Sequence, residues 1–480
     1  MITLGQASNY GFGRTLRHLL AWGTKRDFAR LREGLAEHYQ VKPEEVALYH
    51  TGRSALTAAL KAVAPEGGAK VLVPGLTCIA VIRAIKAANC EPVFVDIAAE
   101  NLEYDYEKLE KELRKSGFLK KTLELSRKTS EESLANSSER RRQQDYLQNN
   151  LELSKKTLDK NGNLCYNRGI ILVQSTLGQP WHAEKIQKIA QKYNLAIVED
   201  LAHSAGRNYA EGIETGLIGE AAALSFGKGK AIDTISGGAV IVRGRQQIRL
   251  PERQQTQQQD RQNSQSAKQQ EQNLPKLDQP TLRPKLADRL RDRWYPVFGG
   301  IARILWRCKL GRIFIGGLVK IGWVQRSADA ELDLSHCLTY WQAKLAYRQL
   351  QNLPKTPLRD YRLVENRSEA LQKLNQAGYC LEEIWYDTPV SPARYAKEAD
   401  FPAKQCPETV RIAQQIINIP TWYSPEKLEK AYEIIDAEAT TRAERQSRAD
   451  PVDSAENPQL RKLNPTDDPE ELTSESEAKS

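Results

Sequence analysis

The 480-residue sequence has seven cysteines (Cys78, Cys90, Cys165, Cys308, Cys337, Cys380, Cys406), but no CxxC pair and no secretory leader. Cysteines scattered in this way do not make a disulfide framework, and a reducing cytoplasm is the expected setting. No apolar run is long enough between charges for a confident membrane span. There is no internal repeat, no nucleic-acid-binding module and no expected metal site, so nucleic acid is not an expected partner. The formal net charge of +9 and the pI near 9.0 permit attraction to phosphates, acidic sugars or anionic lipid without selecting one. Hydrophobic residues at 40% suffice for a sizeable core, so a mean hydropathy of −0.59 requires polar segments elsewhere in the chain.

Those segments are visible. Lys120 to Asn163 is rich in Lys, Arg, Ser and Glu, and Gln246 to Gln279 is rich in Gln. The second cannot bury enough apolar surface to fold alone and reads as a disordered insertion, as does the tail from Ala437. Between Val46 and Val242, short apolar runs alternate with helical patterns: 46–50, 71–75, 92–97, 169–175, 195–200, 221–226 and 237–242. Such continuous runs are the mark of strands covered on both faces. The expected fold class is α/β, a three-layer α/β/α arrangement around a mostly parallel seven-stranded sheet, with a smaller C-terminal α+β lobe. The expected division is 1–245 for the large domain, with a polar insertion at about 120–163, then 246–280 for the Gln-rich insertion. Residues 281–331 form a basic-apolar segment, 332–436 the small domain and 437–480 the tail.

Four short segments offer compatible chemistry around one phosphorylated aromatic aldehyde. TGRSAL, from Thr51 to Leu56, follows a strand and opens a helix, so Gly52, Arg53 and Ser54 can present backbone amides to an anion; an ordinary helix cap reads the same way. In VEDLAHSAG, Asp200 ends a strand and can keep a pyridine nitrogen protonated, with His203 three residues on; a turn cap and a satisfied core histidine are the structural alternatives. SFGKGK places Ser225, Lys228 and Lys230 in a Gly-rich turn after a strand, where either lysine could bind an aldehyde as an imine or simply face water. In LGQP, Gln179 offers donors and acceptors to a ring substituent or a substrate, although the segment alone is only a loop. The order of phosphate turn, acid and lysine on successive strand ends is more informative than any one piece.

Together these segments resemble the DegT/DnrJ/StrS family of sugar aminotransferases, which share the fold of aspartate aminotransferase. The similarity runs from Arg32 to Val242 and from Leu332 to Asp436, with VPGLTCIA, EPVFVDI and the GGAV after SFGKGK also matching. It implies pyridoxal 5'-phosphate as cofactor and, by the SFxxxK spacing, Lys230 rather than Lys228 as the catalytic, cofactor-linked lysine. It further implies that Gly52, Arg53, Ser54 and Ser225 hold the phosphate, that Asp200 pairs with the pyridine nitrogen, and that His203 lies beside the ring. The implied activity is transfer of an amino group from glutamate or glutamine to a keto-sugar, typically nucleotide-linked, in polysaccharide or cell-surface glycan synthesis by a homodimer. Another reaction on the same fold, and a non-catalytic membrane-associated relative, are the alternatives.

Several positions depart from the family pattern. Cys78 stands where an aromatic residue often stacks on the cofactor, and Ser236 where an acid precedes the Gly pair. Ser335 and Cys337 replace the Asn and Arg ahead of the QAA segment, and TPVSPARY lacks a His near the sugar. Separately, Trp294 to Arg326 carries six basic residues, no acid and three Trp. That composition suits either an amphipathic element on an anionic membrane surface, giving peripheral membrane contact, or helices packed on the protein itself.

Overall fold

The computed structural model describes residues 2–4, 12–115, 157–158, 164–165, 169–243, 277–306, 313, 332–381 and 384–449. The expected insertions at about 120–163 and 246–280 lie almost entirely outside the described residues, as does the tail beyond 449. Residues 1–435 form one compact unit and residues 436–480 a second, whose described part is the end of the helix Pro425–Ala449.

All seven apolar runs are strands of one sheet. Their spatial order is Val46–Tyr49, Gly238–Val242, Ala221–Ser225, Ala196–Asp200, Ile170–Val173, Lys70–Pro74 and Glu91–Val95. The sheet is mixed in one respect: Gly238–Val242 runs antiparallel to both neighbours, and every other pairing is parallel. Side-chain alternation along each strand assigns the two faces. Val71, Val73, Ile170, Leu172, Ala196 and Val198 pack with the helices Gly52–Val63 and Ile79–Ala87. On the opposite face Leu72, Ile171, Val173 and Ile197 meet the helix Ala183–Lys192. Farther along that face, Val46, Leu48, Leu224 and Ile241 meet the helices Lys25–Tyr39 and Tyr340–Leu350. With both faces covered there is no polar alternation, which is why the strands read as unbroken apolar runs.

The helices begin where local chemistry allows. Lys25–Tyr39 opens on a capping box between Thr24 and Asp27 and stops at Gln40, which adopts φ 57°. Tyr340–Leu350 opens on a second box, between Thr339 and Gln342. Nearer the C-terminus, Arg359–Leu363 pairs antiparallel with Ile416–Pro420, and Val364, Leu374, Ile417, Ile419 and Ile435 make a separate core beside them. The segment YCLEEIWY, 379–386, reads as strand-like, but among the described residues it is a strand only at Tyr379–Leu381; Trp385 and Tyr386 lie in a turn, with Tyr386 at φ 63°. No helix among the described residues is long and apolar enough to cross a membrane.

Candidate active site

The carboxyl ends of the parallel strands open onto a cavity of about 840 Å³, the position where open α/β sheets bind ligands. The strand Val46–Tyr49 leads through His50 and Thr51 into the helix Gly52–Val63. Thr51 caps that helix by accepting the Ser54 amide on Oγ1 at 3.0 Å, and the Ser54 hydroxyl donates to the Asp333 carbonyl at 2.7 Å. Gly52 and Arg53 therefore line the cavity, whereas Ser54 is buried beside it with its amide and hydroxyl engaged. A Cβ on Gly52 would lie 2.5 Å from Ser225 Oγ and 2.6 Å from Ser225 Cβ. The absence of a side chain at Gly52 is what lets the helix start and the end of Ala221–Ser225 close to form one cradle. Ser225 Oγ accepts the Gly227 amide at 3.3 Å within the same cradle.

Asp200 ends the central strand and is buried, with Oδ1 accepting the Ala202 amide at 3.0 Å. Burial pushes its carboxyl above the usual range, while that amide and the nearby Lys230 oppose the shift. The preceding residue, Glu199, points the other way and accepts from Tyr209 Oη and from the amides of Gly216, Ile218 and Gly219. His203 is also buried. Its Nδ1 accepts the Leu177 amide at 3.1 Å, which leaves the proton on Nε2. Burial, then Lys230, Arg359 and Arg207, hold this imidazole well below its ordinary value, so it is neutral.

The two lysines of the Gly-rich turn separate clearly. Lys228 Nζ donates to Tyr295 Oη at 2.8 Å and lies 4.2 Å from the centroid of that ring. Lys230 Nζ instead sits 4.4 Å from the centroid of Trp385, whose ring stacks on His203 with centroids 5.1 Å apart and an interplanar angle of 28°. Both lysines line the cavity, and it is the charge of Lys230 that acts on Asp200 and Cys78.

Sequence reasoning missed several cavity residues. Trp385 was hidden in what reads as the end of a strand. Gln174 follows the strand Ile170–Val173, accepts from Thr77 Oγ1 at 2.5 Å and donates to the Leu76 carbonyl at 3.1 Å. Gln179, expected to meet a ring or substrate, donates to the Arg359 carbonyl at 3.2 Å and does not line the cavity. Ser236 has a carboxylate partner after all: its hydroxyl donates to Asp292, a buried residue of the helix Leu286–Trp306. Asp292 also lies 3.6 Å from His50 Nε2, so this helix supplies a wall of the cavity. Nothing local in the sequence signals a contact across 56 residues.

The donor set suits a phosphorylated pyridine aldehyde. A Cβ-free helix start beside a serine fits a phosphate, a buried carboxylate at a strand end fits a ring N–H, and a primary amine within the same cavity fits the aldehyde. Among the described residues, no group of acids, histidines and cysteines could hold a metal ion.

The profile of the DegT/DnrJ/EryC1/StrS aminotransferase family matches residues 22–117 and 154–274. GDP-perosamine synthase from Escherichia coli O157:H7 is 26% identical over 194 residues, 40% of this chain and 39% of that protein. Lipopolysaccharide biosynthesis protein RfbH from Salmonella typhimurium is 32% identical over 82 residues, 17% of this chain and 18% of that protein. The chain thus matches well under half the length of these curated relatives. Spr1654 from Streptococcus pneumoniae, a proposed sugar aminotransferase, has solved PLP-form and PMP-form structures, each with a TM-score of 0.51. The PLP-form match covers 88% of this chain and 95% of that one at 15% identity, which establishes a shared fold.

Proposed function

We propose that the chain, which matches the DegT/DnrJ/EryC1/StrS aminotransferase family over residues 22–117 and 154–274, transfers an amino group from glutamate or glutamine to a keto-sugar. The observation that carries this reading is the convergence of Lys230, Asp200 and the Gly52–Ser225 cradle on one cavity. The names of the relatives, GDP-perosamine synthase and a lipopolysaccharide biosynthesis protein, favour a nucleotide-linked sugar destined for a surface glycan. A homodimer, a cytoplasmic setting and peripheral contact through 294–326 belong to the same proposal. Of that segment, 307–312 and 314–326 lie outside the described residues.

Pyridoxal 5'-phosphate, when bound, supplies an aldehyde to carry the amino group and an electron-accepting ring. Gly52 and Arg53 at the helix start, with Ser225, would hold its phosphate, where the partial positive charge of the helix N-terminus favours an anion. Asp200 would hold the proton on the ring nitrogen, and its burial keeps water from competing for that contact. His203, neutral and carrying its proton on Nε2, can donate a hydrogen bond but does not add a charge. Lys230 Nζ, as the primary amine of the cavity, would serve as the base that removes and returns the proton of the amino donor. Trp385, stacked on His203 beside Lys230, gives the cavity the aromatic wall that Cys78 cannot provide. The test is to load the purified protein with cofactor, look for the visible band, reduce it with borohydride and map the modified lysine. Label on Lys230, and loss of the band when glutamate is added, are expected; a colourless protein or label on Lys228 overturns the assignment. A panel of keto-sugars then tests the acceptor.

A further inference from the structure

Two helices on the cavity's flank pack side by side and leave apolar side chains in solvent. The helix Phe12–Leu20 turns His18 inward, where Nε2 lies 3.0 Å from the Asp292 carbonyl, and Arg293 donates back to the Ala21 carbonyl at 2.7 Å. Four-residue steps opposite these contacts place Phe12, Leu16 and Leu20 on one outer face and Leu286, Leu290 and Trp294 on the other. All six are exposed, from 43% for Leu16 to 85% for Phe12, and Trp22 just beyond the first helix is 79% exposed. Scattered surface leucines need no explanation, but two exposed apolar stripes with the same four-residue spacing, on helices packed side by side, are more than scatter.

Basic side chains outnumber acidic ones on both helices. Residues 12–26 contain Arg14, Arg17, Lys25 and Arg26 and no acid. Residues 282–297 contain five basic side chains and two acids; Asp292 is buried on Ser236, and Asp288 pairs with Arg291 at 2.9 Å, which leaves a basic excess on this helix. An apolar strip bearing tryptophans and flanked by arginine and lysine matches the boundary between acyl chains and acidic headgroups. A second copy of this face would bring like charges together.

We infer that the outer face of Phe12–Leu20 and that of the second helix from Leu286 to Trp294 dock on an anionic lipid bilayer. This refines the peripheral contact proposed for 294–326, on which it rests only through Trp294, and it is independent of the amino-transfer chemistry. The inner side of the second helix carries Asp292 and Tyr295 to the cavity, so one helix serves both the membrane and the site.

The full chain is tested by co-sedimentation with phosphatidylcholine vesicles with and without 30% phosphatidylglycerol. The expected result is at least tenfold stronger partitioning onto the anionic vesicles, weakened by added salt. The double variant Leu16→Asp/Leu290→Asp should lose that partitioning at least tenfold while retaining its melting temperature, and Arg17→Glu/Arg283→Glu should weaken it without removing apolar surface. If Ile321→Asp/Trp323→Asp abolishes binding and Leu16→Asp/Leu290→Asp does not, contact centred on 294–326 stands and this face is overturned. Equal binding to neutral vesicles, or no vesicle binding with Leu16→Asp/Leu290→Asp halving the mass in light scattering, also overturns it, the latter in favour of a contact between copies.

Discussion

Lys230 Nζ lies 4.4 Å from the centroid of the Trp385 ring. A cation over an indole face is favoured by about 2 kcal/mol when desolvated, which makes Trp385 an aiming surface for the amine as well as a wall. Trp385→Leu is expected to lower kcat/KM with glutamate by at least roughly tenfold, whereas Trp385→Phe, which keeps an aromatic face, should retain most activity. Equal losses in the two variants would show that the volume of the ring matters and its face does not.

Gly52→Ala places a methyl group 2.5 Å from Ser225 Oγ, so either the helix start or the strand end must move. Overpacking of this kind costs about 1–3 kcal/mol. We expect a melting temperature lower by several degrees and a cofactor dissociation constant raised at least roughly tenfold, read from the visible absorbance. An unchanged dissociation constant would remove Gly52 from the phosphate cradle.

Asp200→Asn keeps an oxygen able to accept the Ala202 amide and removes the charge beside Lys230. Stability is expected to hold within a few degrees while turnover falls at least roughly a hundredfold, the scale of losing a preorganised electrostatic partner. Comparison of melting curves with single-turnover rates checks this separation, and turnover near that of the parent would show that the carboxylate only caps its turn.

Acid sensitivity follows from the buried imidazoles. His203, His18 and His50 are all held below their ordinary value of 6.5, chiefly by burial. The unfolded chain therefore takes up protons near pH 6.5 that the folded chain refuses, so their contribution to stability is complete above that pH and is lost as the pH falls. Urea midpoints at pH 7.5, 6.5 and 5.5 and constant salt should decline, and His203→Gln should flatten the decline. Asp200, Glu199 and Asp292 are pushed upward by burial and act in the opposite sense, so the variant comparison isolates the imidazole.

The strands were legible because a doubly covered sheet leaves a one-dimensional trace: Ile170–Val173 and Gly238–Val242 are apolar throughout. The turns at Gly52, Asp200 and Ser225 were legible because each lies at the end of such a run or is separated from it by at most two residues. Trp385 was not, since IWY continues an apolar pattern whose strand ends at Leu381. The pairing of Ser236 with Asp292 was beyond reach for a different reason: it depends on a distant helix that returns across a long polar stretch of chain. Gln179 shows the opposite error, a suggestive side chain in a suggestive loop whose amide donates to the backbone at Arg359.

Glu199 and Asp200, neighbours at the end of one strand, face opposite environments. Glu199 gathers a hydroxyl and three loop amides, and Asp200 faces the cavity. Because adjacent side chains on a strand alternate in direction, whatever holds Glu199 still also fixes the bearing of Asp200. The amides of Gly216, Ile218 and Gly219 should consequently exchange with deuterated water as slowly as those of a strand, although they belong to an irregular loop. A change that loosens that loop would be felt as a drift in the aim of the neighbouring carboxylate, a route by which residues remote from any ligand could detune the chemistry without touching it.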